Sequence, residues 1–184
     1  MKHCFSINAE GGPILLADAL SAAQWRGATN GGDDYQKLSA RFDASPDVPA
    51  FVFVLAGNPV IAWEMAGPGT ADVFQDATGV IRVVRAWLNE DSADELERLA
   101  LSPISSGVII GEIIVPCGRL AVLWAPESGG AIANAGNQEY SPVKGTALDQ
   151  SGFVMNGASA KYSCQHDEVK VGLSMARRIT LTPA

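Results

Sequence analysis

Two stretches of nearly unbroken apolar sequence, each bent over a short turn, constrain this chain most. In the first, Phe51 to Ala56 and Val60 to Met65 flank Gly57-Asn58-Pro59. β-Branched and aromatic residues crowd both arms, and the glycine and proline between them mark strand, turn, strand. Both arms are apolar on either face, which places the hairpin centrally in a sheet. In the second, Val108 to Val115 and Arg119 to Ala125 flank Pro116-Cys117-Gly118 and read as another apolar hairpin. Gly57 to Trp63 and Gly118 to Trp124 share one spacing from turn glycine to tryptophan, a trace of internal duplication.

The remaining segments follow the same logic. Residues 3 to 16 read as two strands around Gly11-Gly12-Pro13, with Ile14-Leu15-Leu16 as a short buried run. Asp18 can cap a helical turn carrying Leu20 and Trp25, which Gly27 ends. Asp33 or Asp34 can cap a helix with Tyr35, Leu38 and Phe42 on one face. Gly79 launches Val80 to Leu88 as a strand, and Ser92-Ala93-Asp94-Glu95 fits a capping box ahead of Leu96, Leu99 and Ala100, with Pro103 as the stop. Glu127 to Tyr140 reads as a long polar loop. Alternation at Ala160–Cys164, Val169–Leu173 and Ile179–Leu181 predicts half-buried antiparallel strands, with Cys164 to Glu168 as a polar corner between two of them. The expected fold is mostly β, of the α+β class: antiparallel sheets built from hairpins, with two or three short helices. The 184 residues fit one domain, 1–184, within which 1–103 and 104–184 can form two related β lobes.

Charge narrows the partners. Lys and Arg number 13 against 20 Asp and Glu, a net charge of −7. Residues 1–100 hold 7 basic and 14 acidic residues and the remainder 6 of each, so the excess lies wholly in the first part. Phosphate backbones would be repelled, which argues against nucleic acid, whereas a basic protein would be attracted. No run of eighteen apolar residues exists, so no membrane-spanning helix is expected, and the N-terminus lacks the apolar centre of a secretory signal. Cys4, Cys117 and Cys164 are odd in number and widely spaced, as free thiols in a reducing cytoplasm would be.

Catalytic and cofactor signatures are missing from the sequence. It has no nucleophile elbow, no zinc-protease helix and no phosphate-cradling loop. Gly67-Pro68-Gly69 has Asp72 where a dinucleotide fingerprint needs its third glycine. Cys164, His166 and Asp167 resemble a metal cluster only superficially, because on a strand Asp167 would face away from the other two. Asn30 to Asp34 lacks the spaced oxygen ligands of a calcium loop. The acids around Asp94 sit on an exposed helix, where carboxylates stay solvated. Trp25, Trp63, Trp87 and Trp124 lie in apolar runs and read as core anchors. No enzyme activity, cofactor or metal is expected.

Several of these landmarks, in their order, resemble the immunity protein 21 family of bacterial polymorphic-toxin and contact-dependent inhibition systems. They are Gly11 to Leu16, Trp25 with Gly27, Asp34-Tyr35, Gly57-Asn58-Pro59 through Trp63, Gly79 to Trp87 with the helix over 91–101, and more loosely Cys117-Gly118 to Trp124. The likeness spans roughly residues 5 to 125. It implies a cytoplasmic protein that binds and neutralises the C-terminal domain of a cognate toxin as a heterodimer. The charge adds that such a toxin would be basic, as nucleases are, and that the contact surface would include Asp33, Asp34, Asp43, Asp47, Glu90, Asp91, Asp94 and Glu95. Two rivals remain: a small-ligand or carbohydrate-binding β module using the tryptophans and the Glu127–Tyr140 loop, and a hydrolase centred on His166.

Overall fold

Ile14 and Leu16 point one way from their strand and Leu15 and Ala17 the other, yet all four are buried. A strand buried on both faces needs a layer on each side. The computed structural model, which describes residues 1–28, 33–90, 92–104, 106–135, 146–148 and 151–184, supplies both. Two six-stranded antiparallel sheets pack face to face, and short helices cover their outer faces.

The described elements run β1 (Lys2–Ala9), β2 (Pro13–Asp18), α1 (Ala19–Ala22), α2 (Asp34–Asp43), β3 (Ala50–Leu55), β4 (Asn58–Glu64), β5 (Gly69–Gln75) and β6 (Ile81–Trp87). After α3 (Ala93–Leu101) come β7 (Val108–Ile114), β8 (Arg119–Trp124), α4 (Gly130–Ala135), β9 (Thr146–Leu148), β10 (Gly152–Asn156), β11 (Lys161–Val171) and β12 (Ser174–Pro183). Sheet A has the order β1-β5-β6-β12-β11-β7 and sheet B the order β3-β4-β2-β8-β10-β9. Replacing every strand by the one six places away in sequence turns each order into its own reverse. The two halves of the chain are topological copies, joined where β6 meets β12 and where β2 meets β8. Residues 1–103 and 104–184 thus each contribute three strands to each sheet.

The main core fills the space between the sheets, with Ile7, Val73, Ile81, Tyr162 and Ile179 from sheet A meeting Ile14, Ile61, Trp63 and Val122 from sheet B. Outside sheet B, Trp25, Leu38 and Phe42 pack on Leu15, Phe51, Val60 and Leu123. Outside sheet A, Leu99 and Ala100 of α3 pack on Phe74, Val84 and Ala176. The helices therefore lie on opposite faces of the sandwich.

The mostly β, α+β architecture agrees with the expectation, and so does the β3–β4 hairpin, paired from Ala50↔Trp63 to Leu55↔Asn58. Other expectations need correction. β7 and β8 do not form a hairpin: β7 pairs with β11 in sheet A, while β8 lies between β2 and β10 in sheet B. Pro116-Cys117-Gly118 carries the chain across the core instead of folding it back in one sheet. The topological partner of β8 is β2, so the Gly57–Trp63 and Gly118–Trp124 match joins strands that are not counterparts. β11 runs unbroken through Cys164 to Glu168, because Asp167 and Arg178 satisfy each other and remove any need for a polar corner. Within Glu127–Tyr140, residues 130–135 form α4, and 136–140 lie outside the described residues.

Capping follows the sequence in part. Asp18 accepts from Leu20 N at 3.1 Å and, with its other oxygen, from Cys117 N at 3.0 Å. Ser92 Oγ accepts from Glu95 N at 3.2 Å, the forward half of the box. The return bond goes elsewhere: the Glu95 carboxylate accepts from Glu90 N at 3.0 Å and from Ser174 Oγ at 2.5 Å.

Candidate functional site

The eight acids expected at a contact surface do not share one face. Asp33, Asp34, Asp43 and Asp47 belong to α2 and the loop after it, outside sheet B. Glu90, Asp94 and Glu95 belong to α3 and its approach, outside sheet A. Asp91 lies outside the described residues.

Local pairing divides them further. Asp34 accepts from Arg26 through its backbone N at 3.1 Å and its guanidinium at 3.3 Å. Asp33 holds Lys37 at 2.7 Å, and that hydrogen bond keeps its carboxyl below the usual range. This end of α2 is electrostatically balanced. Glu95 is buried, and its bond from Ser174 holds its pKa low too, so it ties α3 to the turn between β11 and β12. Glu90 and Asp94 are exposed.

Asp43 and Asp47 occupy a different setting. With Pro46, Glu64 at the end of β4, and Glu168 and Arg177 of β11 and β12, they line a polar cavity of about 550 Å³. α2, the loop after it and both sheets contribute to this acidic rim. Among the described lining residues four are acidic and one, Arg177, is basic, and Arg177 already donates to Glu168 at 2.8 Å. Glu64 is half-buried; burial pushes its pKa up, and hydrogen bonds from the Ala66, Met65 and Gly67 backbone only partly oppose that.

Burial makes the contribution of Glu64 depend on pH. Its folded pKa lies above the unfolded value of about 4.3, so its contribution to stability is full below that value and is lost as pH rises through the folded one. Glu64→Gln is therefore expected to raise the melting temperature at pH 7 and to give no gain near pH 3.5. An unchanged midpoint at pH 7 would show that the burial is harmless.

Two other clusters bear on catalysis. Near the start of sheet A, Ser6 Oγ lies 2.5 Å from Asp72 Oδ1, and His3 Nε2 lies 3.1 Å from Ser6 Oγ and 3.0 Å from Asp72 Oδ1. The side chains are those of a hydrolytic triad but the connectivity is not. A triad places the serine and the carboxylate on different imidazole nitrogens, whereas here both meet Nε2 and the serine hydroxyl donates to the carboxylate. The cluster fastens β1 to β5, where Ser6 is in register with Asp72. No sequence pattern announced it, because the three residues meet only through that pairing.

His166 lies mid-strand and buried; its Nε2 has no hydrogen-bond partner among the described residues, and burial lowers its pKa. Asp167 points to the opposite face and is held by Arg178. Cys164 is buried and its thiol is pushed up to about 12 by desolvation, which makes it a poor nucleophile. No group of three or more His, Cys, Asp or Glu residues suited to a metal occurs among the described residues.

Trp63 is fully buried and Trp25 nearly so, its indole donating to Ala125 O at 2.6 Å. Trp124 is half-buried and donates to Gly11 O at 2.6 Å. No described helix is long and apolar enough to cross a membrane. Comparison of the chain with protein-family models, with curated proteins and with solved structures finds no match in any of the three.

Proposed function

We propose that this protein is a cytoplasmic immunity protein with no enzymatic activity, which binds and neutralises the C-terminal domain of a cognate bacterial toxin by direct contact. The toxin belongs to a contact-dependent inhibition or polymorphic-toxin system and carries a basic surface of the nuclease type. The acidic rim supports this reading: among the described residues Asp43, Asp47, Glu64 and Glu168, from both sheets, α2 and the loop after it, line one cavity with one arginine among them. Carboxylates gathered in this way attract a cationic surface and speed its encounter, by about ten- to a thousandfold in favourable cases. A cationic partner would also favour the ionised form of Glu64, which burial disfavours in the free protein. Asp33, Asp34 and Glu95 are engaged within the chain, so the contact is centred on Asp43 and Asp47.

The test is co-purification with the toxin domain encoded immediately upstream, followed by stopped-flow association at low and high salt. Asp43→Lys combined with Asp47→Lys is expected to slow association at low salt by about tenfold or more and to flatten its salt dependence. Glu90→Lys with Asp94→Lys, on the opposite face, should change neither. Equal rates for rim and control variants would remove the rim from the interface. Failure of the upstream domain to bind would remove the inhibitor reading itself.

A further inference from the structure

α2 lies over the outer face of sheet B beside its edge strand β3, and between them runs a groove of about 290 Å³. Trp25, Leu38, Phe51, Phe53, Val54 and Leu55 form its apolar lining. Lys37 and Arg41, one helical turn apart, line its helix side together with Asp34. The groove is separate from the acidic rim and does not depend on the function proposed for it.

Charge at the groove is opposite to that of the molecule as a whole. Asp34 is its one carboxylate among the described residues, and Arg26 already occupies both oxygens. Lys37 is shared with Asp33. Arg41 is different: its guanidinium sits 3.8 Å above the Phe51 ring, and it makes no hydrogen bond or ion pair among the described residues. The ring holds the guanidinium beside the groove and leaves its N–H donors unused, and such donors can take a carboxylate through two parallel bonds.

We propose that this groove binds a small apolar carboxylic acid, an aryl or medium-chain one. The apolar body lies on Phe53 and Leu55, and the carboxylate meets Arg41, with Lys37 as a second cation. Small-molecule sites span roughly 300–1,000 Å³, so a groove at the lower end suits a fragment-sized acid better than a nucleotide. One free guanidinium matches a monoanion, whereas a phosphate dianion would bring more charge and hydration than an apolar lining can accept. A sugar would find few uncharged polar groups here.

Calorimetric titration with 3-phenylpropanoate and with octanoate tests the site, with 3-phenylpropanamide as the uncharged control. Saturable one-to-one binding is expected, about tenfold or more weaker for the amide and for the acids with Arg41→Gln. Arg41 is exposed and gives up only a surface cation–π contact, so that variant should melt within a few degrees of the wild type. No saturation by about 10 mM acid, equal binding of amide and acid, or indifference to Arg41→Gln would each overturn the assignment.

Discussion

Arg178→Ala is expected to lower the unfolding free energy by about 3–5 kcal/mol. Melting would fall by on the order of 10 °C for a chain of this size. Arg178 is fully buried and does two things at once. Its Nε donates to Asp167 at 3.1 Å, with a second, shorter bond from Nη2, and the Asp167 side chain is only 1% exposed. Its Nη1 also donates to Leu99 O at 2.7 Å and Ser102 O at 2.8 Å, so a cation closes the carbonyl end of α3. Arg82 helps from the neighbouring strand by donating to Ala100 O. Alanine would leave a carboxylate stranded in the interior and the last turn of the helix open. Arg178→Met with Asp167→Leu should recover the part of the loss due to the stranded charge, but not the part due to the open carbonyls of α3. Chemical denaturation of the single and double variants measures both effects. A loss below about 1 kcal/mol for Arg178→Ala would mean that the pair does not hold α3 to sheet A.

Gly129→Ala and Gly27→Ala are each expected to cost about 2–4 kcal/mol through overpacking, with backbone strain added at Gly27. A Cβ on Gly129 would sit 1.7 Å from Ala22 O, and one on Gly27 would sit 2.4 Å from Pro126 O, with Gly27 held at φ +62°. In both cases the obstacle is main chain, which cannot step aside as a flexible side chain could. The two glycines mark a seam where the chain after α1 lies against the chain before α4. Ala28 N donates to Pro126 O at 2.8 Å and Gly129 N to Trp25 O at 2.7 Å, beside the bond from the Trp25 indole to Ala125 O. Gly130→Ala is the control. Its Cβ would meet nothing nearer than Ser128 Oγ at 3.6 Å, and as the first residue of α4 it should be neutral or slightly stabilising. Thermal melts of the three variants side by side would decide; equal melting for Gly129→Ala and Gly130→Ala would show that the seam yields.

What the sequence made legible was local. The β3–β4 hairpin, β6 and the serine cap of α3 each carry their signal in one short continuous stretch, and each stands where expected. Strand partnership was not legible. β7 and β8 are apolar on either side of a good turn, and nothing in either run says that the chain crosses to the other sheet. β5 and β10 carry weak signals, because Gly69–Gln75 lacks clean alternation and Phe153-Val154-Met155 is an apolar run of only three. Their burial is imposed by neighbours distant in sequence. The same holds at the candidate site. Asp43 and Asp47 were expected at a surface for their charge alone, but Glu64 and Glu168 join them only after the sheets have formed. Glu95 had the right charge and spacing, yet Ser174, far along the chain, claims it.

The reversal symmetry of the two strand orders has a consequence for assembly. Each half of the chain ends in two raw seams, β6 and β2 on one side, β12 and β8 on the other, and neither half can enclose an interior by itself. The molecule is in effect a dimer whose subunits are tethered through α3, so partner finding is unimolecular and indifferent to dilution. Tethering also frees the copies to drift apart without losing their match. The carboxylate surplus, confined to residues 1–100, is a mark that only one of them bears.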